Sequence, residues 1–367
     1  MGSDLILAIV VATALAFDFT NGFHDTANVV ATSISTRAMS PRTAVGFASV
    51  LNFAGAFVSL AVAATIASDF VDQDAITETV VFAGLVGAIA WNLATWYFGL
   101  PSSSSHALIG GVIGATLVAA GTGAINGSGL VDKLIVPALV APVLAFAVAA
   151  ISIVSAYRLV GRLRPGPVAR CFRLGQVASG GLLALSHGTN DAQKTMGVIT
   201  LALIANGDLA KGSEPPTWVI VTAATAIALG TYTGGWRIVR TMGSRIIKMD
   251  PAQGFAAQGA SAAAILAASH FGYPLSTTHT ISGAVMGAGA AKRLSAVRWG
   301  VAGNIVIAWV LTLPAAAAIG ALVYGITELF GSGATGPVVV SAAIVLGLAV
   351  ALARRLSQGR AITAAEG

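Results

Sequence analysis

The chain has 367 residues, of which 56% are hydrophobic and only 9% charged, with a mean hydropathy of +0.84 and a formal net charge of +6. Soluble proteins carry about 25% charged residues, so a soluble globular fold is excluded and an all-α polytopic membrane protein is expected. The basic residues gather in a few short connections, as the positive-inside rule predicts for cytoplasmic loops, and that distribution argues against a nucleic-acid partner.

In chain order, residues 5–36 form an apolar segment too long for one plain crossing. Asp18, Asn21, His24 and Asp25 interrupt it, and a broken crossing is expected there. No Lys or Arg precedes it, which is unlike a cleavable signal peptide, so this segment is expected to remain in the protein. A basic turn at residues 37–42 leads to a span over 43–66, then to an acidic loop with Asp69, Asp72, Asp74 and Glu78. Residues 80–99 run into a serine-rich motif, and an apolar, glycine-rich segment continues to about 120. The span at 134–157 ends in Arg158, Arg162, Arg164, Arg170 and Arg173. The lone cysteine, Cys171, lies among these arginines and rules out an internal disulfide.

A second broken crossing is expected over 174–205, followed by spans at 217–235, 254–270, 274–291, 300–326 and 338–353. Basic residues follow several of these, at Arg237, Arg240, Arg245, Lys248, Lys292, Arg293, Arg354 and Arg355. Placing every basic loop in the cytoplasm gives about eleven crossings, within a range of 10–12 membrane segments. The N-terminus is then outside and the C-terminus cytoplasmic.

Two short stretches are near-copies: Gly22-Phe23-His24-Asp25-Thr26-Ala27-Asn28 and Gly188-Thr189-Asn190-Asp191-Ala192-Gln193-Lys194. Each is followed by a second duplicated element, Pro101-Ser102-Ser103-Ser104-Ser105-His106 and Pro274-Leu275-Ser276-Thr277-Thr278-His279. The separations match: 81 residues from Asp25 to His106 and 88 from Asp191 to His279. Internal duplication with interrupted apolar segments at corresponding places is the pattern of a secondary transporter. The expected organisation is a first inverted repeat over 1–157, a basic cytoplasmic linker over 158–173, a second inverted repeat over 174–326, and a C-terminal membrane segment with a short tail over 327–367. The Pro-Ser/Thr elements fit broken helices or re-entrant hairpins.

Ser102, Ser103, Ser104 and Ser105, with Ser276, Thr277 and Thr278, follow a proline and precede apolar residues, as capped helix starts do. Exposed N–H groups and hydroxyls at such starts make an anion site that needs no arginine, so these residues with Asn28 and Asn190 are candidate substrate ligands. Ser/Thr residues of membrane helices also bond to their own backbone; the duplication favours the functional reading. Asp25 and Asp191 are intramembrane carboxylates, expensive unless they serve a site. Two carboxylates beside a bound anion repel it, so cations must enter with it. Asp25, Asp191, Asn21 and Gln193 are therefore the candidate coupling-ion residues, for protons or sodium. Lys194 either touches the anion or pairs with a carboxylate. His24, His106 and His279 are candidate proton relays; for His106 and His279 each alone a structural role is favoured, while for His24, as for His187 beside the second Asp motif, either role is open. No resident metal and no cofactor are expected.

These motifs resemble the inorganic phosphate transporter (Pit) family of membrane symporters, over essentially the whole chain. The resemblance implies low-affinity uptake of inorganic phosphate across the cell membrane, an inverted-repeat α-helical fold, a homodimer, and phosphate held between the two Asp motifs. Asp25 and Asp191 fall on the family's essential aspartates, and the Ser/Thr runs on its phosphate-contacting hydroxyls. Sodium-coupled eukaryotic members carry glutamates where Asn52 and Gln258 align here. The chain therefore looks more like the bacterial, proton-coupled branch, which carries phosphate as a complex with a divalent metal. Some bacterial members carry sulfate, a second tetrahedral oxyanion. From another class, a membrane-embedded hydrolase would use the same Asp, His and Ser residues, but it needs one asymmetric site where a repeat offers two similar halves. A channel fits the interrupted helices but not an anion cavity bearing two acids.

Overall fold

Short polar caps and glycines punctuate the described residues into fourteen α-helices. The computed structural model describes residues 2–331 and 333–365, and the last two residues of the expected tail lie outside the described residues. The first half holds α1 (Gly2–Ser35), α2 (Pro41–Gly55), α3 (Ala61–Ser68), α4 (Glu78–Phe98), α5 (Ser104–Ala120), a single turn α6 (Gly127–Leu130) and α7 (Val136–Val160). The second holds α8 (Pro165–Asn206), α9 (Thr217–Thr233), α10 (Trp236–Arg240), α11 (Pro251–His270), α12 (Thr277–Ala290), α13 (Trp299–Glu328) and α14 (Thr335–Ala365). Ser40 caps α2 ahead of Pro41, and Asp250 and Gln253 close a reciprocal capping box on α11. Gly99, at φ +67°, ends α4. α8 begins at Pro165, inside the stretch read from sequence as a linker.

Neither Asp motif breaks its helix. α1 and α8 run as continuous α-helices of 34 and 42 residues through Asp25 and Asp191, which corrects the two broken crossings expected there. The physical reason is that the polar side chains of the two motifs themselves, His24, Asp25, Thr26, Thr189, Asn190 and Asp191, find partners without opening the helix. Thr26 bonds back to the Gly22 carbonyl at 2.6 Å and Thr189 to that of Leu185 at 2.9 Å, while the acids find partners on neighbouring helices. The interruptions sit instead at Pro101 and Pro274. There α4 turns into α5 and α11 into α12, giving two hairpins with the Ser/Thr residues at the fold of each.

Helix contacts follow the duplication, with the halves interleaved. α1 packs on α9 and α8 on α2; α5 packs on α13 and α12 on α7. Each half thus lends its second helix to the other's Asp helix, and α7 and α13 each cover the other half's hairpin. Gly22 and Gly188, equivalent by repeat, permit two of these contacts: a Cβ would fall 2.4 Å from the Ile227 carbonyl at the first and 2.1 Å from that of Asn52 at the second. Two apolar clusters fill the interior. One holds Ile6 to Phe17 of α1 with Val80 to Ala88 of α4 and Ala192 to Leu203 of α8; the other holds Ala27 to Ala31 of α1 with Leu183 and Ala184 of α8. α1 and α8 therefore cross antiparallel, and α1 runs parallel to α4.

The polarity of the molecule is inverted relative to a soluble protein. Asp18, Asp25, Asp191 and Lys194 are buried, whereas Leu139, Val143, Ile151, Val310, Leu322 and Val345 are exposed. Such broad apolar surface belongs against lipid. Among the described residues, four helices are long and apolar enough to cross a membrane outright, and a fifth span arises if α9 and its bent continuation through Arg245 count as one. The protein is a multi-pass membrane protein.

Candidate functional site

The site lies where α1 and α8 cross and the two hairpin tips meet. Pro101 and Pro274 end the incoming strand of chain, and Ser103 and Ser276 cap the outgoing helices: their Oγ atoms each accept the N–H three residues on, from His106 and His279, both at 3.2 Å. The next two hydroxyls of each tip are thereby aimed inward. Ser104 donates to Asp25 Oδ2 at 3.2 Å, and its repeat equivalent Thr277 donates to Asp191 Oδ2 at 3.3 Å. Thr278 crosses between halves, donating to Asp25 Oδ1 at 3.3 Å and accepting from Asn28 Nδ2 at 2.8 Å. Asn28 also donates to Thr277 at 3.3 Å, and Ser105 donates to the Leu275 carbonyl at 3.1 Å.

The two acids stand close together. One carboxylate oxygen each of Asp25 and Asp191 and one ring nitrogen of His187 lie within 4.8 Å of one another. Lys194, fully buried, donates to Asp191 Oδ1 and to the Leu275 carbonyl at 3.0 Å, so of the two roles open to it the lysine takes the carboxylate pairing. Asp25, Asp191 and His187 have the spacing of a metal site, but the Lys194 ammonium beside Asp191 opposes a resident divalent ion. His24 Nδ1 is 2.7 Å from Asp25 Oδ1, and its Nε2 is 3.1 Å from Thr95 Oγ1 and 3.4 Å from Ser102 Oγ. Ser102 itself donates to Thr95 at 2.9 Å. In the other half Asn190, equivalent to His24, donates to Ser269 at 2.8 Å and to the Tyr273 carbonyl at 3.2 Å. Both act as struts between an Asp helix and a hairpin.

Several candidates from sequence face elsewhere. Gln193 Oε1 accepts the N–H groups of Val62 and Ala63 at 2.8 and 3.1 Å, capping α3 from outside its own chain segment. His106 and His279 meet edge to face at 4.8 Å, His279 stacks on the Trp309 ring at 4.1 Å, and both histidines line an apolar cavity of about 300 Å³ with Leu139 and Pro314. Asn21 is buried with neither amide atom hydrogen-bonded among the described residues. Asn52 donates to Thr231 at 2.8 Å and faces His187 Nδ1 at 3.2 Å; Gln258 donates to Ser33 at 2.7 Å and accepts from Ser179 at 3.0 Å.

His187, whose place beside the second Asp motif left either a relay or a structural role open, puts Nε2 3.1 Å from Asp191 Oδ2; sequence reasoning gave no role to Thr95. It also passed over Asp18 as a mere interruption. The signal for Asp18 was available: it precedes Asp25 by seven residues, two helical turns on the same face.

A model described as Phosphate transporter family matches this chain twice, over residues 21–170 and 164–320. The chain belongs to the phosphate transporter family. Each match contains one Asp motif and one Pro-Ser/Thr motif. A Mycobacterium bovis relative is 54% identical over 327 residues, covering 89% of this chain and 78% of that protein. Relatives from Rhizobium meliloti and Bacillus subtilis are 49% and 45% identical, covering 88% and 89% of this chain and 97% and 98% of theirs. All three are described as "Probable low-affinity inorganic phosphate transporter". A solved structure titled "The sodium-dependent phosphate transporter" is similar with a TM-score of 0.79 at 25% identity, covering 88% of this chain and 99% of that one. Family members are thus named as transporters, which sets the hydrolase reading aside.

Proposed function

We propose that this protein is a low-affinity inorganic phosphate transporter of the cell membrane, working by cation-coupled symport with alternating access. One observation carries the reading: the inward hydroxyls of two opposed helix starts, Ser104, Thr277 and Thr278, are all spent on the Asp25 and Asp191 carboxylates. A carboxylate neutralised by a cation or proton accepts more weakly. Its hydroxyl partners are then free to bind a tetrahedral oxyanion, assisted by the N–H groups at the starts of α5 and α12. Anion and cation therefore favour each other's binding, which is the thermodynamic content of coupling. Asn28, bridging Thr277 and Thr278, orders the donors; Lys194 leaves the pair of acids with less than its full repulsion for phosphate.

The proton is the favoured coupling ion, because Asn52 and Gln258 are neutral amides engaged with Thr231, His187, Ser33 and Ser179 and supply no carboxylate for sodium. Sodium is the alternative, supported by the printed title of the similar structure; sulfate is the alternative substrate. Phosphate would enter as a complex with a divalent metal or alone. The two repeats would be inverted about the Asp crossing, with the N-terminus outside, the C-terminus cytoplasmic, and the functional unit a homodimer. Labelled phosphate uptake into proteoliposomes under a pH gradient, a sodium gradient, added magnesium or excess sulfate tests the reading. pH-driven accumulation that sulfate does not displace is expected. Sodium-driven accumulation overturns the assignment of the ion, and accumulation of sulfate in place of phosphate overturns the substrate.

A further inference from the structure

A second polar cluster lies in the membrane core beside the phosphate site. Asp18, Asn21, Asn92 and Thr195 are all fully buried. Among the described residues, both Asp18 carboxylate oxygens, both amide atoms of Asn21 and of Asn92, and the Thr195 hydroxyl make no hydrogen bond of ordinary geometry. Thr195 and Asn21 are the polar side chains set around the Asp18 carboxylate, and Asp191 and Lys194 lie near enough to act on it electrostatically. Asn92 precedes Thr95 by one turn of α4, as Asn21 precedes His24 on parallel α1. Since Thr95 bonds His24, Asn92 sits at the level of Asn21.

The cluster has a defined place relative to the Asp pair. Seven residues of α-helix put Asp18 about 10 Å along α1 from Asp25. Thr195 follows Asp191 by one turn on antiparallel α8, so it is displaced to the same side. A membrane interior keeps a carboxylate, two amides and a hydroxyl without partners only at high cost. Their oxygens, one anionic and three neutral, form the donor set of a hard cation. A single carboxylate, with Lys194 nearby, matches one positive charge rather than two.

We propose that Asp18, with Asn21, Asn92 and Thr195, is a monovalent-cation site separate from the Asp25–Asp191 pair, and that its ion, sodium or a proton, is one of those coupled to phosphate movement. The inference rests on the phosphate symport reading. With the N-terminus outside, the site stands on the external side of the phosphate position, where an entering ion meets it first. Emptying it leaves Asp18 charged and unpartnered beside Asp191, which links its occupancy to that of the central site.

The test uses the whole protein in liposomes, with labelled phosphate and imposed sodium or pH gradients. Asp18→Asn is expected to lose gradient-driven accumulation by at least about tenfold while still exchanging phosphate at equal concentrations on both sides. Asp18→Glu is expected to recover part of the accumulation. Thr195→Val is expected to raise the half-activating concentration of the driving cation and, once that cation is saturating, leave the half-saturating phosphate concentration unchanged; which gradient shows the shift identifies sodium or the proton. Wild-type accumulation in Asp18→Asn overturns the inference. So does a joint loss of exchange and accumulation in folded Asp18→Asn, which would put Asp18 in the phosphate site. If Asp18→Asn does not fold, unchanged cation dependence in Thr195→Val overturns it. A wild-type protein that carries no phosphate contradicts the underlying function instead.

Discussion

Thr278 joins the two halves through one oxygen, giving its proton to Asp25 and accepting from Asn28. Thr278→Val keeps the shape and removes both bonds, so the half-saturating phosphate concentration in uptake kinetics should rise about tenfold, the value of one charge-assisted hydrogen bond. Ser105→Ala should be milder, since that hydroxyl serves the Leu275 carbonyl. Lys194 has a different weight. Removing it as Lys194→Met leaves Asp191 buried without its cation, a loss of about 3–5 kcal/mol, measurable as a fall in the thermal midpoint of the detergent-solubilised protein. Asp25 and Asp191 could be found from sequence because charge in an apolar run is conspicuous and the repeat shows it twice. The assignments of Gln193 and Asn190 could not be read the same way. Their partners, the start of α3 and the Ser269–Tyr273 turn, are set by tertiary contact and leave no local pattern.

At the scale of the element, the hairpin tips depend on two serine caps. Ser103→Ala or Ser276→Ala should cost about 0.5–2 kcal/mol of helix-start stability, visible as faster amide exchange in the first turns of α5 or α12. Proline followed by a hydroxyl run made these starts legible beforehand. Continuity of α1 and α8 was not legible, because His24, Asp25 and Asp191 are held by side chains remote in sequence, and Asp18 and Asn21 stay buried without breaking the helix. The exchange of α2 with α9 and of α7 with α13 between halves was hidden for a related reason. It rests on close backbone approach at glycines, and glycine in a membrane helix is too common to announce one contact. Gly188→Val should therefore be strongly destabilising, by overpacking against the Asn52 carbonyl, typically about 1–3 kcal/mol. Gly259→Ala, with open space around it, should leave the thermal midpoint unchanged.

For the molecule as a whole, two repeats place two acids, one lysine and seven tip hydroxyls around a single crossing. The proposed alternating access calls for two such related halves around one site. The orientation carries its own check. Cys171 is the one cysteine and is exposed, and it lies beside the basic stretch assigned to the cytoplasm. A membrane-impermeant thiol reagent should label it in inside-out vesicles and not in intact cells; the reverse would invert the topology. The central claim is that cation occupancy of the Asp pair drives phosphate binding and movement. Labelled phosphate accumulation in proteoliposomes, for the wild type, Asp25→Asn and Asp191→Asn under the same imposed pH gradient, tests it most directly. Accumulation by the wild type and its loss in both folded variants is the predicted result. Gradient-driven accumulation that survives either substitution would contradict the account.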